Sequence, residues 1–146
     1  MRLVLDTNVC LDLFVFADPR SAALHDALRS RRCTAVSNVA CRGEWQRVLR
    51  YPVLKLEPAR RKALEADYDA FVVSIAAAAT DAAAAMSLPR CKDSDDQKFL
   101  ELARDTGAIA LLTRDAALLE LAPRTLRAGL FDILTPEAWL RSRSLP

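Results

Sequence analysis

Two short apolar runs in this chain stop abruptly at acid-bearing segments. Leu3-Val4-Leu5 gives way to Asp6, and Ala108 to Leu112 ends at Thr113-Arg114-Asp115. A short run that is apolar throughout, rather than alternating, suits a strand covered on both faces, and such strands belong to parallel sheets flanked by helices. Helical patterns fill the intervening segments. That alternation predicts an α/β fold: a three-layer α/β/α sandwich around a mostly parallel central sheet, with right-handed crossovers. Sites in such sheets form beyond the carboxyl ends of the strands, so Asp6 and Asp115 are expected on one rim.

Arg2 to Leu5 is the first expected strand, and a helix bearing Leu11, Leu13, Phe14 and Phe16 follows it. Asp18-Pro19 ends that helix, because the residue before a proline is biased away from helical backbone. Ser21 to Arg32 reads as an amphipathic helix and Cys33 to Val36 as a second strand. Ser37-Asn38 supplies capping oxygens for a helix through Glu44, Trp45, Val48 and Leu49, which breaks at Tyr51-Pro52. Pro58 suits the first turn of a longer helix through Ala63, Leu64 and Tyr68. The alanine-rich tract from Phe71 to Leu88 carries too little pattern to separate strand from helix.

Ser94-Asp95-Asp96-Gln97 matches the S-x-x-Q capping box, opening a helix with Phe99, Leu100, Leu102 and Ala103 that ends near Gly107. After the strand at Ala108 to Leu112, a short helix covers Ala116 to Leu121 and leads to a proline. Phe131 to Leu134 is a last strand, and Thr135-Pro136-Glu137 opens a terminal helix bearing Trp139. With 146 residues, no repeat and no linker, the chain reads as one domain spanning 1–146.

Several function classes are disfavoured by composition. The formal charge of +2, from 21 basic and 19 acidic residues, neither demands nor excludes nucleic acid. Cys10, Cys33, Cys41 and Cys91 form no C-x-x-C pair, which argues for reduced, buried thiols and against zinc. Asp6 interrupts the N-terminal apolar run too early for a signal peptide, so a cytoplasmic address is expected. Asp81 inside the alanine tract makes a membrane span costly, and no membrane association is expected. His25 is the single histidine, and the three glycines form no phosphate loop.

Carboxylates are what remain for chemistry. Asp6 and Asp115 lie at strand ends, Asp95 and Asp96 open a helix, and Glu44 sits inside one. If such acids converge they repel, each raising the others' pKa. A divalent cation removes the conflict, and hard carboxylate oxygens suit Mg²⁺ or Mn²⁺. Such ions deprotonate water and neutralise charge building on a phosphodiester. The expected chemistry is metal-assisted phosphodiester hydrolysis.

Three motifs and a closing helix then carry a family resemblance. Val4-Leu5-Asp6-Thr7-Asn8-Val9 resembles the opening signature of PIN domains, and Cys91 to Ala103, with Asp93, Asp95 and Asp96, resembles the acidic block of the VapC-like toxin branch. Leu111-Leu112-Thr113-Arg114-Asp115 is similar to that family's next strand and acid, and Thr135-Pro136-Glu137 to its closing helix. The resemblance implies a metal-dependent ribonuclease paired with an antitoxin protein, as a homodimer. Of single-stranded or structured RNA, single strands are the expected substrate because they bend into a recessed metal site more easily than duplexes. It implies Asp6, Glu44, Asp96 and Asp115 as catalytic, metal-binding acids, with Asn8, Asp93 and Thr113 as polar supports. Ala117 and Gln97 stand where the branch commonly has further acids, which leaves open one-metal occupancy or a module that binds RNA or protein without cutting.

Structural alternatives stand beside each residue. Asp6, Asp95, Asp96 and Asp115 could simply cap helices or favour their dipoles, and Glu44 could pair with Arg47 at the surface. Trp45 and Trp139 suit packing more than base stacking. Arg29, Arg31, Arg32, Arg42, Arg47 and Arg50 could form a basic margin for an RNA backbone or a solvated face. A haloacid-dehalogenase-type phosphatase also begins with a strand and an Asp, but its second Asp is Asn8 here.

Overall fold

A computed structural model describes residues 1–76 and 80–143. Five strands form one sheet in the order β3-β2-β1-β4-β5, and every neighbouring pair is parallel. They are β1 (Arg2–Leu5), β2 (Thr34–Ser37), β3 (Val72–Ser74), β4 (Ala110–Leu112) and β5 (Asp132–Leu134). Parallel pairing requires a crossover after each strand. The connections carry α1 (Thr7–Cys10), α2 (Ala22–Arg29), α3 (Val39–Val48), α4 (Pro58–Phe71), α5 (Asp81–Ala84), α6 (Gln97–Thr106), α7 (Ala116–Leu119) and α8 (Ala122–Arg127), and α9 (Pro136–Arg143) follows β5.

Strand parity divides the core into two layers. Leu3, Leu5, Ala35, Ala110 and Leu112 point to one face, where Val9, Leu13, Phe14, Leu24, Trp45, Leu64 and Trp139 cover them. Val4, Val36, Leu111 and Ile133 point to the other, against Phe99, Leu100, Leu102, Leu118 and Phe131. Successive residues of a strand face opposite ways, so runs apolar at every position are what two helical layers demand. Tyr68 stacks on Trp45 at 5.4 Å between ring centroids, and Phe14 meets both edge-on. All four cysteines are free and buried, as expected.

Local chemistry explains where elements begin and end. Asn38 accepts the Cys41 amide at 2.9 Å and starts α3, and Thr135 accepts the Ala138 amide at 3.1 Å at the start of α9. Gly107, at φ +65°, ends α6 in the left-handed conformation that glycine adopts cheaply.

Other expectations need correction. The helix expected from Ser21 to Arg32 is α2 alone, and it stops at Arg29 before Arg31 turns to φ 59°. Pro123 does not end a helix; it sits in the first turn of α8, where its missing N–H has no partner to lose. Ser94 is not the cap of a box: Asp93 takes that role through the Asp95 amide at 3.0 Å, and Ser94–Asp96 form a 3-10 turn leading into α6. The alanine-rich tract contains both β3 and α5, while any boundary at 77–79 lies outside the described residues. Among the described residues no helix is long and apolar enough to cross a membrane.

Candidate active site

The carboxyl ends of β1 and β4 lie side by side. The Asp6 amide donates to the carbonyl of Leu112, the last residue of β4, at 2.9 Å, carrying the ladder one residue beyond β1. Asp6 leaves the sheet buried, 3% exposed. Thr113, fully buried, donates its hydroxyl to Asp6 Oδ2 at 2.7 Å and accepts the Asp115 amide at 3.0 Å. One side chain thus fixes an acid from each strand end. Asp6 sits at the start of α1 but makes no capping hydrogen bond through its side chain. Asp115 does cap α7, accepting the Ala117 amide at 3.4 Å.

The other two acids arrive from opposite sides. Asp96 ends the 3-10 turn before α6, which packs on β1 and β4. Glu44, on α3, accepts the Thr7 hydroxyl at Oε2 and the Lys98 ammonium at Oε1, the latter at 2.7 Å. It pairs with Lys98 and not with Arg47. Asp6, Glu44, Asp96 and Asp115 line a single cavity of about 330 Å³, with Thr7 and Asn8 on its polar side and Leu11, Tyr51 and Val53 in its apolar wall.

Crowding of like charges shows in the acidities. Burial raises Asp6 above the usual carboxylate range; the Thr113 hydroxyl works against this, and the charges of Glu44 and Asp115 add to it. Asp96 is pushed up to about 7, first by burial, then by the charges of Asp6 and Asp93 and by its hydrogen bond and proximity to Asp115. Three of the acids have no cationic side chain to balance them among the described residues, and Lys98 balances the fourth.

The remaining predicted positions sort by what they touch. Asn8 is exposed at the cavity mouth. Asp93 lies outside the cavity lining and holds the 3-10 turn that presents Asp96. Gln97 turns away, accepting the Cys91 amide at 2.8 Å and donating to the Pro89 carbonyl at 3.1 Å. Arg29, Arg31 and Arg32 do not border the site: they precede β2 at its amino end, where Arg32 neighbours Met1 and Trp139. Arg42 is engaged by Asp69 at 2.7 Å. His25 is half-buried against Phe71, and Trp45 and Trp139 are core residues.

Two contributors were hidden in the sequence, Thr7 and Lys98. A lysine in the first turn of α6 opposes the helix dipole, and that anomaly was the available signal for Lys98. Among the described residues no group of three or more Asp, Glu, His or Cys side chains forms a ready-made metal cage. The donor set still suits a hard divalent ion: it consists of carboxylate oxygens with no imidazole or thiolate among the cavity-lining residues, and its mutual repulsion is only partly balanced.

The crystal structure of VapBC2 from Rickettsia felis, bound to a DNA fragment from their promoter, contains a chain that superposes with a TM-score of 0.57 at 14% identity. The match covers 91% of this chain and 97% of that one, so the two share a fold. No curated protein sequence matches. The family profile described as PIN domain matches residues 2–117, which take in the four cavity acids and the strands that deliver them. The chain belongs to the PIN-domain family.

Proposed function

We propose that this PIN domain is an endoribonuclease dependent on Mg²⁺ or Mn²⁺ that hydrolyses phosphodiester bonds of single-stranded RNA. The observation that carries the reading is the convergence of Asp6, Glu44, Asp96 and Asp115, from four distant segments, on one cavity. PIN domains are typically metal-dependent nucleases, and Asp6, Asp96 and Asp115 would hold the ion with Glu44 beside them. When bound, the ion would lower the pKa of a water and neutralise charge on the phosphodiester. The chain's own residues set the stage for that. Thr113 orients Asp6, the turn held by Asp93 presents Asp96, and Asp96 carries a proton near neutral pH that ion uptake would displace. Tyr51 and Val53, 53% and 80% exposed, give the cavity an apolar lip suited to an unstacked base.

Likeness in fold to the VapBC2 chain supports an antitoxin partner, and with it the toxin role in a toxin–antitoxin pair. Action in the cytoplasm and a homodimeric state belong to the same proposal and rest on the sequence reading alone. Asp6→Asn should abolish metal-dependent cleavage of a single-stranded RNA while the circular dichroism spectrum stays that of the parent; undiminished cleavage would contradict the assignment. Toxicity on expression, relieved by Asp96→Ala and by a co-expressed small partner, is the expected outcome for the toxin role. A second reading, a module that binds RNA or a protein without cutting, draws on Gln97 facing Cys91 and Pro89 and on the apolar Ala117. RNA binding with no metal-stimulated cleavage would establish it. A haloacid-dehalogenase-type phosphatase lacks its second acid at Asn8 and is set aside.

A further inference from the structure

Glu44 differs from the other three cavity acids in having both oxygens taken. Thr7 donates to one and Lys98 to the other, and in the ion pair each side chain is only 18% exposed. The ammonium is itself tied down: it donates to the Asp95 carbonyl and lies 5.0 Å over the Phe99 ring. Breaking a recessed pair of this kind to free one carboxylate leaves the other charge uncompensated, which is strongly unfavourable. Asp6, Asp96 and Asp115 have no such cationic partner among the described residues. The two positions that could have enlarged the ligand set do not: Gln97 is occupied by Cys91 and Pro89, and Ala117 has no donor atom.

We infer that Lys98 is a built-in counter-cation that withdraws Glu44 from the ligand set, so that the cavity takes one divalent cation on Asp6, Asp96 and Asp115. The inference rests on the metal-dependent reading above and narrows it. Lys98 acts through Glu44 and is a positioning residue, not a catalytic one. A second ion would need Glu44, and Glu44 is held by an ammonium whose own charge repels a cation.

Mn²⁺ titration of the full chain, with free ion followed by electron paramagnetic resonance, tests this without reference to cleavage. The parent should bind a single Mn²⁺ per chain. Lys98→Met, which frees Glu44, should either bind a second Mn²⁺ or tighten the first by about ten-fold. The double variant Glu44→Gln/Lys98→Met, which removes both charges of the pair together, should leave the dissociation constant within about three-fold of the parent, and it decides the matter if Lys98→Met alone fails to fold. Two ions in the parent, an unchanged count and affinity in Lys98→Met, or a loss of about ten-fold or more in the Glu44→Gln/Lys98→Met double variant would each overturn the inference. One bound Mn²⁺ with no RNA cleavage would remove the nuclease reading and leave this one standing. Cleavage lost in Asp6→Asn, together with two bound ions in the parent, would do the reverse.

Discussion

Replacing Asp96 by asparagine should make the metal-free protein more stable at pH 8. Burial and the neighbouring charges of Asp6, Asp93 and Asp115 push this carboxyl up to about 7, whereas an unfolded aspartate titrates near about 3.9. Between those values the folded chain holds a proton that the unfolded chain has released. Stability therefore falls as pH rises through that interval, and the full penalty is present above it. The gap sets a ceiling of roughly 4 kcal/mol, which solvent screening of a half-buried group cuts to about 1–2 kcal/mol. Asparagine keeps the shape and removes the charge. In thermal melts under chelator, Asp96→Asn should melt about 3–6 °C above the parent at pH 8 and converge on it toward pH 4. Adding Mg²⁺ should then raise the parent's midpoint and leave the variant's nearly unmoved, since an ion stabilises only the folded state that binds it. A variant that melts at or below the parent at pH 8 in chelator would refute the picture of Asp96 as a repelled acid.

Thr113→Val removes a fully buried hydroxyl, leaving Asp6 without its donor and the Asp115 amide without its acceptor. A loss of about 2–4 kcal/mol is expected from urea midpoints, most of it restored in Thr113→Ser. Arg114 binds Asp12 at 2.8 Å and Glu137 at 2.6 Å, tying the end of β4 to α9. Arg114→Met should cost about 1–2 kcal/mol after screening and speed amide exchange across Pro136–Arg143. Because Arg114 holds Glu137 below the usual carboxylate range, that cost is present at neutral pH and should fade as pH falls through the lowered value.

The elements legible in the sequence are those whose ends carry a chemical mark. β1 matches its expected range because charge bounds the apolar run, and α4 and α9 begin where expected because a proline sits in the first turn of each. β3 is three residues at the sheet edge with Val73 52% exposed, so it shows neither alternation nor full burial. α8 is masked because its first-turn proline resembles a stop. The acids were legible for a related reason, lying next to a strand end or a helix start or within one helix of one. Lys98 meets Glu44 across 54 positions, and no local pattern encodes that pairing. The arginines show the complementary failure: the amphipathic pattern around Arg29 says that a helix end is exposed, and does not say at which end of the sheet it lies.

Strand order accounts for why the acids gather where they do. From β1 the chain builds outward to β2 and β3, and then returns to place β4 on the other side of β1 and β5 beyond it. At that reversal the segments leaving adjacent strand ends diverge. Val9 and Cys10 of α1 join one core layer, and Leu118 of α7 joins the other. Neither helix can close over the seam, so a crevice persists between β1 and β4. Asp6 and Asp115 flank it as the residues at which the chain turns away, and Thr113 braces both from below. α3 and α6 then bring Glu44 and Asp96 to the same opening. Burying four carboxylates in a closed core would be prohibitive; at a crevice open to solvent the repulsion is partly screened, and the remaining imbalance is what a bound cation would offset.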